Sequence, residues 1–150
     1  MLNRGTVLPA NLTITGSFTN QGLVAGSGTL NAALTNTATG QVRSGAGESL
    51  QVLGSAHSNA GTIEITGGGQ QRYVGLLTNQ AGRRIQLDSA TLRLDGGLVN
   101  LGLVNAGQVE VDFGGATVRG NVATTAGGKM ILPGRSDTCT GTSTGTSTCT

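Results

Sequence analysis

The sequence predicts an all-β fold, a right-handed parallel β-helix (β-solenoid), from three observations. A phrase made of an apolar residue, Asn, one to three small residues and Gly recurs about every 20 residues. Each copy is followed by short segments in which apolar and polar residues alternate, as in strands. Gly contributes 27 of the 150 residues and aromatics only 2%, which favours short strands joined by tight turns. One coil of such a chain cannot bury its apolar face alone, so stacked coils share a core, and parallel connections favour the right-handed sense.

The recurring asparagines are predicted to form a structural ladder. In stacked coils, equivalent residues lie above one another, so each side-chain amide donates to one neighbour and accepts from the other. Asn tolerates the left-handed backbone of tight bends, and Gly takes a positive φ without a Cβ penalty. We interpret these residues as ladder members rather than ligand-binding residues, because the fold itself repeats them. They are Asn20, Asn36, Asn59, Asn79, Asn100 and Asn105, of which the last two compete for one ladder position.

The strand pattern sets the number of coils and the domain boundary. Strands are predicted at Thr62–Thr66, Arg84–Asp88, Gln108–Asp112, Lys129–Leu132, Leu50–Leu53, Thr91–Leu94, Thr117–Arg119, Leu76–Thr78 and Leu98–Val99. Counting the phrases gives about six to seven coils within residues 1–133. Residues 134–150 are rich in Thr, Ser and Gly, a composition that predicts a disordered tail.

Charge and hydropathy argue against several functional classes. The net charge is +2, no cluster of Lys and Arg forms a stripe along the sequence, and few aromatics are present to stack on bases, which argues against nucleic-acid binding. No apolar run approaches the ~20 residues of a membrane helix, so membrane insertion is not expected. The first residues, Met1–Val7, lack the apolar stretch of a signal peptide.

The remaining polar residues predict neither a cofactor nor a metal. Cys139 and Cys149 lie in the tail, where a disulfide outside the cell is one reading and two unpaired thiols are the other. His57 is too far away in sequence to complete a zinc site and is expected in a turn. Asp88 and Asp112 are expected on successive corners, where paired carboxylates suit Ca²⁺ or acid–base chemistry. Calcium needs more oxygen ligands than this pair supplies, so we predict a solvated outer face there and no catalytic residue.

Two further expectations concern side chains on the outside. Aligning the strands on their apolar positions places one polar column outward, formed by Arg43, Glu64, Gln86 and Glu110. Tyr73, within the Gly-rich segment 67–74, is the ring expected on the surface, whereas Phe18 and Phe113 are expected in core or turn positions. Sugar sites usually rely on exposed aromatic platforms, so Tyr73 is the residue that a glycan site would use.

The repeats resemble those of large bacterial surface and secreted proteins. The resemblance covers residues 12–132 and is clearest in Leu77–Gly82, Thr91–Asn100 and Gly107–Gly115. Proteins of this kind, such as autotransporters and filamentous-haemagglutinin-like adhesins, carry right-handed parallel β-helix passengers. The resemblance implies export, an extracellular or cell-surface location, and a non-enzymatic structural or adhesive role.

Two other functions stay open at this point. One is a self-assembling extracellular fibre subunit whose open solenoid ends stack on one another. The other is a carbohydrate-binding or carbohydrate-active β-helix protein. The partners to be expected are therefore other copies of the chain, a surface glycan, or a host or matrix ligand.

Overall fold

A computed structural model describes residues 1–9 and 14–104 with their side chains, and some further strands by their backbone. The strands described in full are β1 (Leu2–Asn3), β2 (Thr6–Val7), β3 (Ser17–Asn20), β4 (Leu23–Ala25), β5 (Gly28–Leu30), β6 (Ala33–Asn36), β7 (Gln41–Ser44), β8 (Ser49–Val52), β9 (Ala56–Asn59), β10 (Thr62–Thr66), β11 (Gln70–Tyr73), β12 (Leu76–Asn79), β13 (Arg84–Asp88) and β14 (Thr91–Asn100). The strands described by backbone, in whole or in part, are β15 (Leu103–Asn105), β16 (Thr117–Thr124), β17 (Lys129–Ile131), β18 (Thr138–Thr140), β19 (Ser143–Thr144) and β20 (Ser147–Thr148).

The strands form two parallel sheets that wind around a common interior. The 8-stranded sheet has the order β2-β4-β7-β10-β13-β15-β17-β20. The 12-stranded sheet covers two faces, β1-β3-β6-β9-β12 and β5-β8-β11, and the long strand β14 joins them because each of its halves pairs with one face. From β3 to β14, each described coil therefore contributes one strand to each of three faces. Nothing among the described residues forms a helix long and apolar enough to cross a membrane.

This arrangement confirms the predicted fold class, a parallel β-solenoid. The period is about 21 residues, against about 20 predicted, and the structure shows about five turns, against the six to seven coils predicted. The strands predicted at Thr62–Thr66 and Arg84–Asp88 are observed with the same bounds. The right-handed sense stays a prediction from the chirality rule for parallel connections. The division into a solenoid and a tail from residue 134 also stays a prediction, as does the pairing of Cys139 with Cys149, whose side chains lie outside the described residues.

Apolar side chains fill the interior in columns that follow the strand register. Along the 8-stranded sheet, Val24, Val42, Ile63, Ile85 and Val104 are registered with one another on successive coils, and all are buried. Complete burial of one such side chain stabilises the fold by roughly 1.5–3 kcal/mol. The core is thus a stack of equivalent positions, which explains why the sequence repeats.

The glycines of the repeated phrase meet two different constraints. Gly82 has a positive φ of 71°, as predicted, whereas four others allow close packing between coils. A Cβ on Gly22, Gly40, Gly61 or Gly102 would overlap backbone atoms of the preceding coil, and none of these four residues has a positive φ. The expectation that the phrase glycine takes a positive φ therefore fails at these positions. The ladder asparagines also end strands in ordinary backbone conformations, since Ser89 is the one non-Gly residue with a positive φ among those described.

A second column of close-packed glycines, at another corner, was not anticipated. Gly54, Gly75 and Gly96 follow one another at the repeat interval, and a Cβ on Gly75 would overlap the backbone of Gly54 and Ser55. The absence of a side chain therefore lets successive coils approach at this corner as well.

Replacing Gly75 by alanine is expected to lower the free energy of unfolding by about 1–3 kcal/mol, since the new methyl group must push two coils apart. Gly5→Ala is the matched control, because a Cβ there has no atom within 4 Å and the φ of Gly5 is not positive. Urea denaturation followed by circular dichroism measures both variants. Equal midpoints for the two variants would show that the corner is not close-packed.

Candidate functional site

A column of asparagine side chains runs along the inside of one corner. Nδ2 of each Asn donates to Oδ1 of the next, over 2.7–2.9 Å. All members are buried. The column consists of Asn3, Asn20, Asn36, Asn59, Asn79 and Asn100. The structure thus brings together five of the six residues that the sequence singled out, and it adds Asn3.

The amides of this column are used on both sides by the protein itself. Nδ2 of Asn20 also donates to the carbonyl of Gln41, and Oδ1 of Asn20 also accepts the backbone N–H of Gly22. Asn59 makes the corresponding bonds with Arg84 and Gly61. Each side chain therefore joins its own turn to the next coil, and a ligand would have to displace these bonds to bind.

Asn3 belongs to the column although it was not predicted to, whereas Asn105 was predicted to belong to it and does not. Asn3 heads the column, and its signal in the sequence is a short copy of the phrase, Leu2–Gly5, which stands 17 residues before the copy at Asn20. Asn105 lies on a different face, since its backbone in β15 is registered with Gln86 of β13. The sequence offered Asn100 and Asn105 as competing ladder positions, and the strand register assigns the ladder position to Asn100.

The predicted outward column on the 8-stranded sheet is present for its first three members. Arg43, Glu64 and Gln86 are registered with one another, and Gln41 donates to a Glu64 carboxylate oxygen over 3.1 Å. Glu110 lies outside the described residues, and the backbone of Asn105 occupies the next register position. The column mixes charges and amides, as a solvated outer face does.

One member of the predicted carboxylate pair, Asp88, lies in the described part of the chain. Asp88 ends β13, with Thr66 as its register partner, and Asp112 lies outside the described residues, as does Phe113. Among residues 1–9 and 14–104, no group of three or more His, Cys, Asp and Glu side chains is placed to hold a metal ion.

Tyr73 is not a surface ring, contrary to the prediction. It lies in β11, registered between Val52 and Leu94, and its side chain is completely buried. The Gly-rich segment before it is a turn rather than an extended insertion, so strand alternation directs Tyr73 inward. A glycan site built on this ring is therefore excluded. Phe18 is buried as expected.

His57 is likewise inside the solenoid and not in a turn. It lies in β9, is 3% exposed, and its Nδ1 accepts the backbone N–H of Leu34 over 3.2 Å. Its ring meets Tyr73 edge to face at 5.5 Å. Nε2 has no hydrogen-bond partner. Burial lowers the His57 pKa from 6.5 to about 4, although the nearby Gly54 backbone opposes part of the change, so the ring is neutral at pH 7.

These two rings belong to a polar cluster within an otherwise apolar interior. The Tyr73 hydroxyl donates to Oε1 of buried Gln71 over 2.8 Å, and Nε2 of Gln71 donates to Ser44 over 3.2 Å. Burial raises the pKa of Tyr73 above its usual value, so its hydroxyl stays protonated. The cluster is closed off from solvent and therefore contributes to packing rather than to ligand binding.

The third face carries a basic group that linear sequence reading missed. Arg72 of β11 and Arg93 of β14 are registered neighbours on successive coils, and Asp95 lies between them. Asp95 accepts from Arg72 over 2.6 Å and from Arg93 over 2.7 Å. Hydrogen bonds from Arg93 and then Arg72 hold the pKa of Asp95 below its usual value, so it is ionised at neutral pH. The coil register thus brings together two arginines that lie 21 positions apart in the sequence.

Comparison of this chain with protein-family models, with curated proteins and with solved structures finds no match. The architecture is therefore established by the structure alone. The resemblance to bacterial surface proteins is a resemblance of the sequence repeats alone.

Proposed function

We propose that this chain is a non-enzymatic structural and adhesive segment of a bacterial cell-surface or secreted protein. The observation that carries the proposal is the asparagine column, in which the amides of Asn20 and Asn59 bond to the coils on both sides. Such a column bonds each coil to its neighbours. Each added coil lengthens the solenoid by ~4.8 Å, the spacing between paired strands. A rod built in this way suits a stalk that displays a binding surface.

The location follows from the resemblance of the repeats to autotransporter and filamentous-haemagglutinin-like passengers. It is tested in the organism that produces the chain. We expect an antibody against residues 14–105 to label intact cells or the culture medium, and external proteinase K to remove the signal from the cells. A cytoplasmic protein of the same cells serves as the control and should stay protected. Detection of the chain only after lysis, in the cytoplasmic fraction, would contradict the surface role.

A second candidate function is end-to-end self-assembly, in which a coil of another copy pairs with the first described strands, β1 and β2. The backbone carbonyls of Met1, Asn3 and Gly5 accept backbone N–H groups of the second coil. Backbone groups alternate in direction along a strand, so the N–H and C=O groups of Leu2 and Thr6 point away from that coil. Three of the four large apolar side chains that are exposed in the described part of the chain lie at this end, namely Met1, Leu2 and Leu8. A second copy that paired with these backbone groups and covered these apolar side chains would extend both sheets by one coil.

Leu2→Lys is expected to reduce end-to-end association, because a charge on an edge strand opposes pairing. Leu76→Lys is the matched control, since Leu76 is 42% exposed against 48% for Leu2 but lies on the side of the solenoid. Sedimentation velocity at increasing protein concentration, with electron microscopy of the same samples, measures the assembly. A wild-type chain that stays monomeric at high concentration would rule out the fibre function.

A further inference from the structure

One face of the solenoid presents two regular columns of polar side chains. On β8, β11 and β14, the register places Ser49, Gln70 and Thr91 in one column. The second column, two residues further along each strand, consists of Gln51, Arg72 and Arg93. Successive members of a column are one coil apart, about 4.8 Å. The face is therefore a periodic array of hydroxyl, amide and guanidinium groups.

Asp95 orients the two guanidinium groups of this array. Its Oδ2 accepts from Nε and Nη2 of Arg72, and its Oδ1 accepts from Nε of Arg93. The terminal Nη groups of Arg93 make no hydrogen bond to any described residue, and the side chain is 56% exposed. Two cations held by one anion leave a net positive charge at this point. The carboxylate thus holds both arginines in place without neutralising them.

The basic column extends beyond the described side chains. The backbone of Arg119 in β16 is registered with Arg93, so three consecutive levels of the face carry Arg at one position. Beside the column lies a groove of about 400 Å³, lined by Ser49, Gln51, Gln70, Arg72, Thr91 and Arg93 among others. No aromatic or aliphatic side chain is among the described residues that line it.

We propose that this face binds a linear acidic polysaccharide along the solenoid axis. Its carboxylate or sulfate groups would pair with the column of Arg72 and Arg93, and its hydroxyls with the column of Ser49, Gln70 and Thr91. A polymer with a regular repeat meets the same groups on each coil, so many weak contacts add up to useful affinity. The inference rests on the proposed extracellular display, because that is where such polymers occur.

The lining of the groove favours a glycan over a nucleic acid. Single-stranded nucleic acids are bound by aromatic platforms on which bases stack, and neutral sugars usually use such platforms as well. The described lining of the groove has none, so charge and hydrogen bonds must provide the affinity for an acidic glycan. Hydroxyl and amide side chains instead match the many hydroxyl groups of a sugar chain. The interaction is mainly between exposed charges, so salt should weaken it.

The test uses the whole purified chain and four probes in biolayer interferometry at low ionic strength. Dextran sulfate supplies sulfate groups, alginate supplies carboxylates, neutral dextran is the uncharged counterpart of the first, and single-stranded DNA is a phosphate polymer. We expect binding of dextran sulfate or alginate that weakens with salt, and no binding of neutral dextran. Which of the two acidic polymers binds more tightly assigns the anionic group. Failure of both, or DNA binding as tight as theirs, would overturn the proposal.

Variants then locate the site. Arg72→Gln combined with Arg93→Gln should weaken binding about tenfold, since each exposed ionic contact contributes a modest amount. Asp95→Asn should tighten binding about threefold, because it removes the competing carboxylate and keeps both arginines. Arg84→Gln, which removes one positive charge from the 8-stranded sheet, should leave binding unchanged. An equal loss in Arg84→Gln, or no tightening in Asp95→Asn, would overturn the assignment of the site.

This binding assay and the localisation assay fail independently. Absence of the chain from the cell surface would contradict the proposed function and leave the measured affinity intact. Absence of binding to the purified chain would contradict the polysaccharide site and leave the surface role intact.

Discussion

Replacing Asn59 by alanine is expected to remove about 3 kcal/mol from the free energy of unfolding, a large fraction of the stability of a single domain. Asn59 is an interior member of the column: it accepts from Asn36 over 2.7 Å and donates to Asn79 over 2.8 Å. Its Oδ1 also accepts the backbone N–H of Gly61. Alanine leaves these buried groups without their partner, and each unpaired group costs about 1–3 kcal/mol, reduced where other bonds remain.

Two further variants distinguish the loss of stability caused by breaking the column from any loss caused by removing an asparagine elsewhere. Asn31→Ala is the matched control, since Asn31 is exposed and belongs to no column, and its unfolding should match that of the wild type. Asn3→Ala should fall between the two, because Asn3 heads the column and bonds to one asparagine neighbour, Asn20. Urea denaturation followed by circular dichroism orders the three variants. An Asn59→Ala chain as stable as the wild type would show that the column contributes little to stability.

The repeat made the fold and most of the column predictable from the sequence. In a solenoid, equivalent residues recur at the coil period, so the intervals between Asn59, Asn79 and Asn100 describe contacts directly. The alternation in Thr62–Thr66 and Arg84–Asp88 identified strands because one face of each is buried. Local pattern and global architecture agree at these positions, which is why reasoning from residues succeeded there.

The errors arose where local composition and coil register disagree. Tyr73 follows three glycines and polar residues, so the segment resembles a surface insertion, yet its position one period after Val52 and one before Leu94 places it inside. The pairing of Arg72 with Arg93 was missed because the two residues are 21 positions apart in the sequence. Aligning every residue on the 21-residue period, rather than the Asn and Gly residues alone, would have found both.

The glycines of the repeated phrase show another limit of prediction from sequence. A glycine in a turn is usually explained by a positive φ, and that explanation was wrong for Gly22, Gly40, Gly61 and Gly102. The actual reason is the approach of the preceding coil, which depends on contacts between residues far apart in sequence. Sequence shows that a glycine is there, and only the packed structure shows which of the two constraints it meets.

The second large effect concerns His57, which makes the stability of the solenoid depend on pH. The ring is buried, accepts from the backbone of Leu34 and faces the neutral ring of Tyr73, with no carboxylate among its described contacts. Protonation would place a charge in the core and break the bond from Leu34. The folded chain therefore resists protonation, as the lowered pKa of about 4 expresses.

The direction of the pH effect follows from proton binding in the two states. Between pH 6.5, the ordinary pKa of His57, and about 4, its pKa in the folded chain, the unfolded state binds more protons. Stability is thus complete above pH 6.5 and falls by up to about 3 kcal/mol as the pH drops to 4. Asp95 affects the stability only at a pH below this window, because its pKa is lowered from 3.8.

His57→Gln should abolish this dependence, since glutamine keeps an acceptor for the Leu34 N–H and does not titrate. Because His57 is the one histidine of the chain, no other histidine can contribute to the change. Urea denaturation of both proteins at pH 7.5, 6.0 and 4.5 provides the comparison. We expect the wild type to lose stability steadily over this series while His57→Gln stays nearly constant. A wild-type chain as stable at pH 4.5 as at 7.5 would mean that the fold opens to hydrate the imidazolium, and that the polar cluster is not closed to solvent.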